Sequence, residues 1–217
     1  MYKRVTHTIT EEHFGHPMAV EIKQVVDKTV KPPKPKMEPA AASKFKADVE
    51  NYFLALAANL KEVSKAIVAN DATKTVETEK VLFDHIDDLG NLFKNYYGVE
   101  FGEKLNQNLR TTAFIMIAIA KNLKNKLDIR DWRSRFDAVR SDIGNMLYQY
   151  NNTWNQPAQN ILLQQIFDQL VAHTQDIVNG SESAVELSAN RLNNVLSVFA
   201  NGLITGTIQH YPERFIS

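Results

Sequence analysis

The sequence predicts an all-α protein: an antiparallel bundle of about six helices built from repeated helical hairpins, preceded by an extended N-terminal arm. Three observations carry that expectation. From residue 43 onward, apolar residues recur at helical spacing with few interruptions. The segments so marked run to about 20 to 26 residues and are joined by short breaks, a pattern that gives antiparallel neighbours. The third observation is a repeat. Asp88-Leu89-Gly90-Asn91-Leu92-Phe93 returns as Asp142-Ile143-Gly144-Asn145-Met146-Leu147, and each copy runs on to a tyrosine, Tyr96 and Tyr150, at the same offset of 54 residues. Each copy sets a glycine inside a helical pattern, where it costs roughly 1 kcal/mol against alanine. Taken twice at equivalent places, that cost points to a shared packing need such as close helix approach.

The elements follow in order. Residues 1–42 form the arm and residues 43–217 the bundle domain. Val5–Thr10 and Ala19–Lys23 alternate apolar and polar residues, which fits short extended pieces. Lys31-Pro32-Pro33-Lys34-Pro35-Lys36, with Pro39 and three alanines after it, reads as a semi-rigid polyproline spacer. The first helix is expected near 44–69 with Ser43 as its cap, and Asn70-Asp71 ends it. The second, near 75–96, turns Val81, Leu82, Ile86, Leu89 and Phe93 inward, with Gly98 placed for a left-handed cap. The third, near 100–125, carries Leu105, Leu109, Thr112, Met116, Ile119 and Leu123, and its lysine-rich end complements the helix dipole. Asp128 caps a fourth near 129–150, bearing Trp132, Phe136, Val139, Ile143 and Leu147. Asn152–Pro157 supplies a cap and an early proline for a fifth near 157–179, with Ile161, Leu162, Ile166, Leu170, Thr174 and Ile177. Gly180 closes it. Ser183-Ala184-Val185-Glu186 has the form of a capping box for a sixth near 184–209, which carries Leu192, Val195, Leu196, Phe199, Leu203 and Ile208. The 54-residue offset pairs the second helix with the fourth. The sixth is a weaker third copy, with Asn194 where Asp88 and Asp142 stand and no matching glycine.

Composition narrows the function classes. Hydrophobic residues make up 44% of the 217, enough to bury a sizeable core. Basic and acidic residues balance at 25 each, so no net charge draws the chain to nucleic acid or an anionic surface. There is no cysteine, which removes disulfides, thiolate metal sites and cysteine nucleophiles. The N-terminus lacks the apolar run of a signal peptide. The most apolar stretch, Ala113–Ala120, is far short of the roughly 20 residues that span a bilayer and reads as a helix buried on most sides.

No catalytic motif appears. Glu-x-x-His, His-Glu-x-x-His, the phosphate-binding glycine loops and Gly-x-Ser-x-Gly are all absent from the sequence. No catalytic residue, metal ligand set or cofactor is therefore assigned. His13 and His16, near Glu11 and Glu12, would make a weak metal site if they shared a helical face, but Gly15 and Pro17 argue against a helix there. His85, among Asp84, Asp87 and Asp88, suggests a buried His–Asp hydrogen bond. His173 sits beside an apolar stripe as a satisfied core or boundary residue. If Asp88 and Asp142 face each other on packed helices, they form with His85 a polar-core site. Such a layer would set register or take a cation or small polar ligand. Tyr96, Tyr97, Tyr148 and Tyr150 read as amphipathic boundary residues, and a tyrosine-rich rim would also suit a protein interface. From Lys28 to Lys36 there are four lysines and no acid. Lys28, Lys31, Pro32, Pro33, Lys34, Pro35 and Lys36 together form a candidate partner-binding arm. Four charges without interleaved aromatics make a poor nucleic-acid footprint.

The chain resembles a family of uncharacterised all-helical proteins found in large DNA viruses of amoebae and algae and in spore-forming bacilli. The residues that carry the likeness are Asp88-Leu89-Gly90-Asn91, Tyr96-Tyr97-Gly98, Gly102 and Leu105. With them go Phe199-Ala200-Asn201-Gly202-Leu203-Ile204 and His210-Tyr211-Pro212-Glu213-Arg214-Phe215. It covers about residues 45–215. The family tends to repeat a histidine early in its odd-numbered helices, where this chain carries other residues around Tyr52, Thr111 and Gln169. The resemblance implies a helical bundle and hints at a viral source; it supplies no function.

The functional expectation is a non-enzymatic structural or assembly protein whose arm docks on neighbouring protein subunits, with a minor virion (capsid) protein as the finer form. The alternative is a ligand- or metal-binding bundle with an internal polar site.

Overall fold

A computed structural model describes residues 8–13, 16–21 and 39–215. The chain divides into two compact units, Met1–Lys36 and Met37–Ser217. In the first, β1 (Thr8–His13) and β2 (His16–Glu21) pair antiparallel, with Thr8 opposite Glu21 and His13 opposite His16. The two histidines thus lie across a strand pair, and the helical-face metal reading does not hold for them. The candidate arm residues Lys28–Lys36 lie outside the described residues.

The second unit is all helix: α1 (Pro39–Val68), α2 (Ala72–Tyr97), α3 (Val99–Lys124), α4 (Arg130–Tyr150), α5 (Gln156–Asn179) and α6 (Glu182–His210), closed by a 3-10 turn at Pro212–Phe215. The six-helix antiparallel bundle read from the sequence is therefore what the chain forms. α1 begins earlier than the expected cap at Ser43. Pro39 occupies the first turn, where its missing N–H is no loss. The alanines after it are the best helix formers, and Ala41 and Ala42 pack on the core. The first helix thus begins at Pro39, four residues ahead of the expected cap.

The packing is cyclic. α1, α3 and α5 touch one another; α2 lies on α1 and α3, α4 on α3 and α5, and α6 on α5 and α1. Three odd helices form an inner triangle, and each even helix fills the groove between two of them. The three hairpins α1–α2, α3–α4 and α5–α6 thus sit in equivalent places. Each also turns through one left-handed residue: Asn70 at φ 57°, Lys126 at φ 57° and Gly180 at φ 72°. The third hairpin, faint in the sequence, is complete in the fold.

Several local expectations shift. Asp71 does more than break the chain: its side chain accepts from the Lys74 N–H and caps α2. Gly98 has a positive φ of 88° but an extended ψ of 174°, because α3 starts at the very next residue. The N-cap of α4 is Ile129 and not the expected Asp128, whose side chain, one residue earlier, accepts from the Arg130 N–H at 2.9 Å. α6 starts at Glu182, so Ser183 lies inside the helix and the expected capping box does not form. Val81 and Ile161, expected inside, are exposed. The rest of the α2 stripe, Leu82, Ile86, Leu89 and Phe93, is buried as expected. Ala113–Ala120 is buried apart from Phe114, which packs on the Phe83 ring at 4.8 Å, and half-buried Ala118.

Candidate functional site

The proposed polar core does not assemble. Asp88 and Asp142 are both exposed. The reason is helical geometry. Each aspartate stands two residues before a glycine of its own helix, about 200° round the axis. Gly90 and Gly144 are buried, so the aspartates must point out. His85 is half-buried. Its Nδ1 lies 2.8 Å from the Asn59 amide nitrogen on α1 and 3.0 Å from the Val81 carbonyl oxygen, and bonds one or the other according to tautomer. The His–Asp bond expected there is replaced by this contact. Asp84 instead pairs with Lys80 at 2.5 Å, and Asp87 takes a two-pronged bond from Arg110 of α3 at 3.1 and 2.5 Å. Among the described residues, no group of three or more His, Asp or Glu side chains converges on a metal-sized site.

What the repeat does instead is visible at its glycines. A Cβ on Gly90 would stand 1.8 Å from Asn106 Oδ1 of α3, and a Cβ on Gly144 would stand 2.2 Å from Asn160 Oδ1 of α5. Each glycine is a notch for the amide of the next helix. The two asparagines lie at the same 54-residue offset as the glycines, so they hold equivalent places. Their buried Oδ1 atoms have no hydrogen-bond partner among the described residues, which marks them as packing groups held by shape. Residues 97–105 and 151–159 share no identical position, so the sequence repeat fades after Tyr96 and Tyr150 and does not reach the asparagines.

One end of the bundle holds a buried polar node. Tyr97 and Asn151, again 54 residues apart, meet directly: Asn151 Nδ2 donates to the Tyr97 hydroxyl and to the Gly206 carbonyl, both at 2.9 Å. Tyr97 donates to Thr207 Oγ1 at 3.2 Å, and Thr153 donates to Asn151 Oδ1 through its N–H and its hydroxyl. Burial pushes the Tyr97 phenol up to about 12, against smaller opposing pulls from its hydrogen bonds. Aromatic rings close round it, with Trp154 at 5.0 Å and Phe101 at 4.8 Å. Tyr96 stacks on Phe215 and Tyr150 packs edge-on to Phe101. Of the four helix-end tyrosines, Tyr148 alone is exposed, so the tyrosines serve the bundle's own packing more than a rim.

His173 is buried, as the stripe beside it implies, and its Nδ1 lies 2.9 Å from Ser188 Oγ. Burial lowers its pKa first, and the charges of Lys61 and Lys65 add to that, against Asp176. Ser188 is itself buried and donates to the Ala184 carbonyl at 2.9 Å. The pair links α5 to α6, and His173 also lines a cleft with Lys61, Leu192 and Asn193.

The centre of the bundle is apolar and incompletely filled. A cavity of about 80 Å³ lies between the six helices. At about 24 cal/mol per Å³, a void of that size costs roughly 2 kcal/mol. None of His85, Asp88 and Asp142 lines this space, which is apolar where a polar layer was expected.

No family model, curated protein or solved structure matches the chain.

Proposed function

We propose that the protein is a non-enzymatic assembly protein: a self-contained helical bundle whose N-terminal arm docks on neighbouring protein subunits. The observation that carries this reading is the division of the chain. The bundle closes its own core from residue 39 onward, while residues 1–36 form a separate unit. A two-stranded hairpin is marginal alone in water, and a Pro/Lys segment carries little apolar surface with which to fold. A second protein surface supplies what both lack. In its finer form the protein is a minor component of a virion shell, a reading that rests only on the likeness read from the sequence of residues 45–215 to a helical family of large DNA viruses and bacilli.

Amine-directed cross-linking of an equal mixture of isotopically light and heavy copies tests the docking. Lys28, Lys31, Lys34 and Lys36 are expected in mixed light–heavy cross-links that bridge two copies. Cross-links confined to the arm's own chain would contradict the proposal.

A further inference from the structure

We propose that the cavity at the centre of the bundle is a binding site for one compact apolar molecule, the size of a xenon atom or a short alkane. Every helix contributes to its wall, with Phe53, Ile86, Ala113, Phe136, Ile166 and Leu196 coming from α1 through α6 in turn. The wall has one hydroxyl, that of Thr112, and it is already committed to the Asn108 carbonyl at 3.0 Å. A buried water needs two to four polar partners. Beyond the lone pairs of that hydroxyl this cavity offers no polar side chain among its wall residues, short of what a water needs, so it stays dry and an apolar guest displaces no ordered water.

Size sets the class of guest. The cavity measures about 80 Å³, whereas an apolar cavity of about 150 Å³ is known to admit benzene as well as xenon. Roughly half that volume takes the smaller probe and rejects the ring. The wall is fixed by the inner triangle of α1, α3 and α5 and by the even helices seated behind it. A guest there meets dispersion contacts from side chains of all six helices. The site is independent of the arm and of any assembly role.

Methyl NMR of the full chain under xenon pressure, and separately with benzene, tests the site. Methyl signals of Leu82, Ile86, Ile143 and Ile166 are expected to shift with xenon and saturate, and to stay in place with benzene. Ala113→Leu fills the space and is expected to abolish the xenon shifts. Leu196→Ala enlarges it and is expected to gain benzene-dependent shifts at the same methyls. Wild-type methyls that do not respond to xenon would overturn the proposal. So would a folded Ala113→Leu protein that responds as strongly as wild type, or a folded Leu196→Ala protein that still ignores benzene.

Discussion

At the scale of single residues, the fold is decided by which atoms must lie against a neighbouring helix. Gly90 is the clearest case, because the Asn106 amide occupies the place of its missing Cβ. Gly90→Ala alone is expected to destabilise the protein by about 1–3 kcal/mol through overpacking. Asn106→Ala in the same chain clears the space, removes a buried unpaired oxygen and leaves the helix its gain of roughly 1 kcal/mol from alanine. Denaturant melts of the four proteins should show coupling of about 1–3 kcal/mol between the two sites. Additive effects would contradict the notch. His173 gives a pH prediction. Its folded pKa is held below the ordinary 6.5 by burial, with Lys61 and Lys65 from α1 pushing the same way and Asp176 on its own helix opposing. A depressed base contributes stability that is present above 6.5 and lost as pH falls through the lowered value. Thermal melts in that acid range should fall more steeply for wild type than for His173→Gln. Parallel curves would contradict it.

At the scale of elements, the left-handed turns are the shared device of the three hairpins. Asn70 and Gly180 are residue types that tolerate positive φ, whereas Lys126 at φ 57° does not favour it. Lys126→Gly is expected to raise stability by about 0.5–1 kcal/mol, after the entropy glycine adds to the unfolded chain is counted. A loss on denaturant unfolding would contradict the turn geometry. Helices were legible because their period is local: Leu82, Ile86, Leu89 and Phe93 are spaced for one face, and that face is buried. Adjacent apolar residues were not resolvable that way. Val81 beside Leu82 and Ile161 beside Leu162 and Leu163 each had an inner and an outer choice that only the neighbouring helix settles. The aspartates of the repeat were legible as polar and repeated, but their direction follows from the glycine two residues on. Pro39 and its alanines read as spacer because composition does not show whether an alanine run meets a core.

At the scale of the whole molecule, the repeat and the turns describe one arrangement, three hairpins around an inner triangle, with the arm as a separate unit in sequence. Its apolar centre could not be read from the sequence, since a void depends on how side chains from all six helices meet. The division into bundle and arm carries the functional reading, and sedimentation velocity addresses it most directly when the full chain is compared with residues 37–217 at matched concentrations. We expect the truncated protein to sediment as a folded monomer with an unchanged thermal midpoint, and the full chain to sediment as a larger, concentration-dependent species. Identical sedimentation of the two, or a truncated protein that no longer folds, would contradict it.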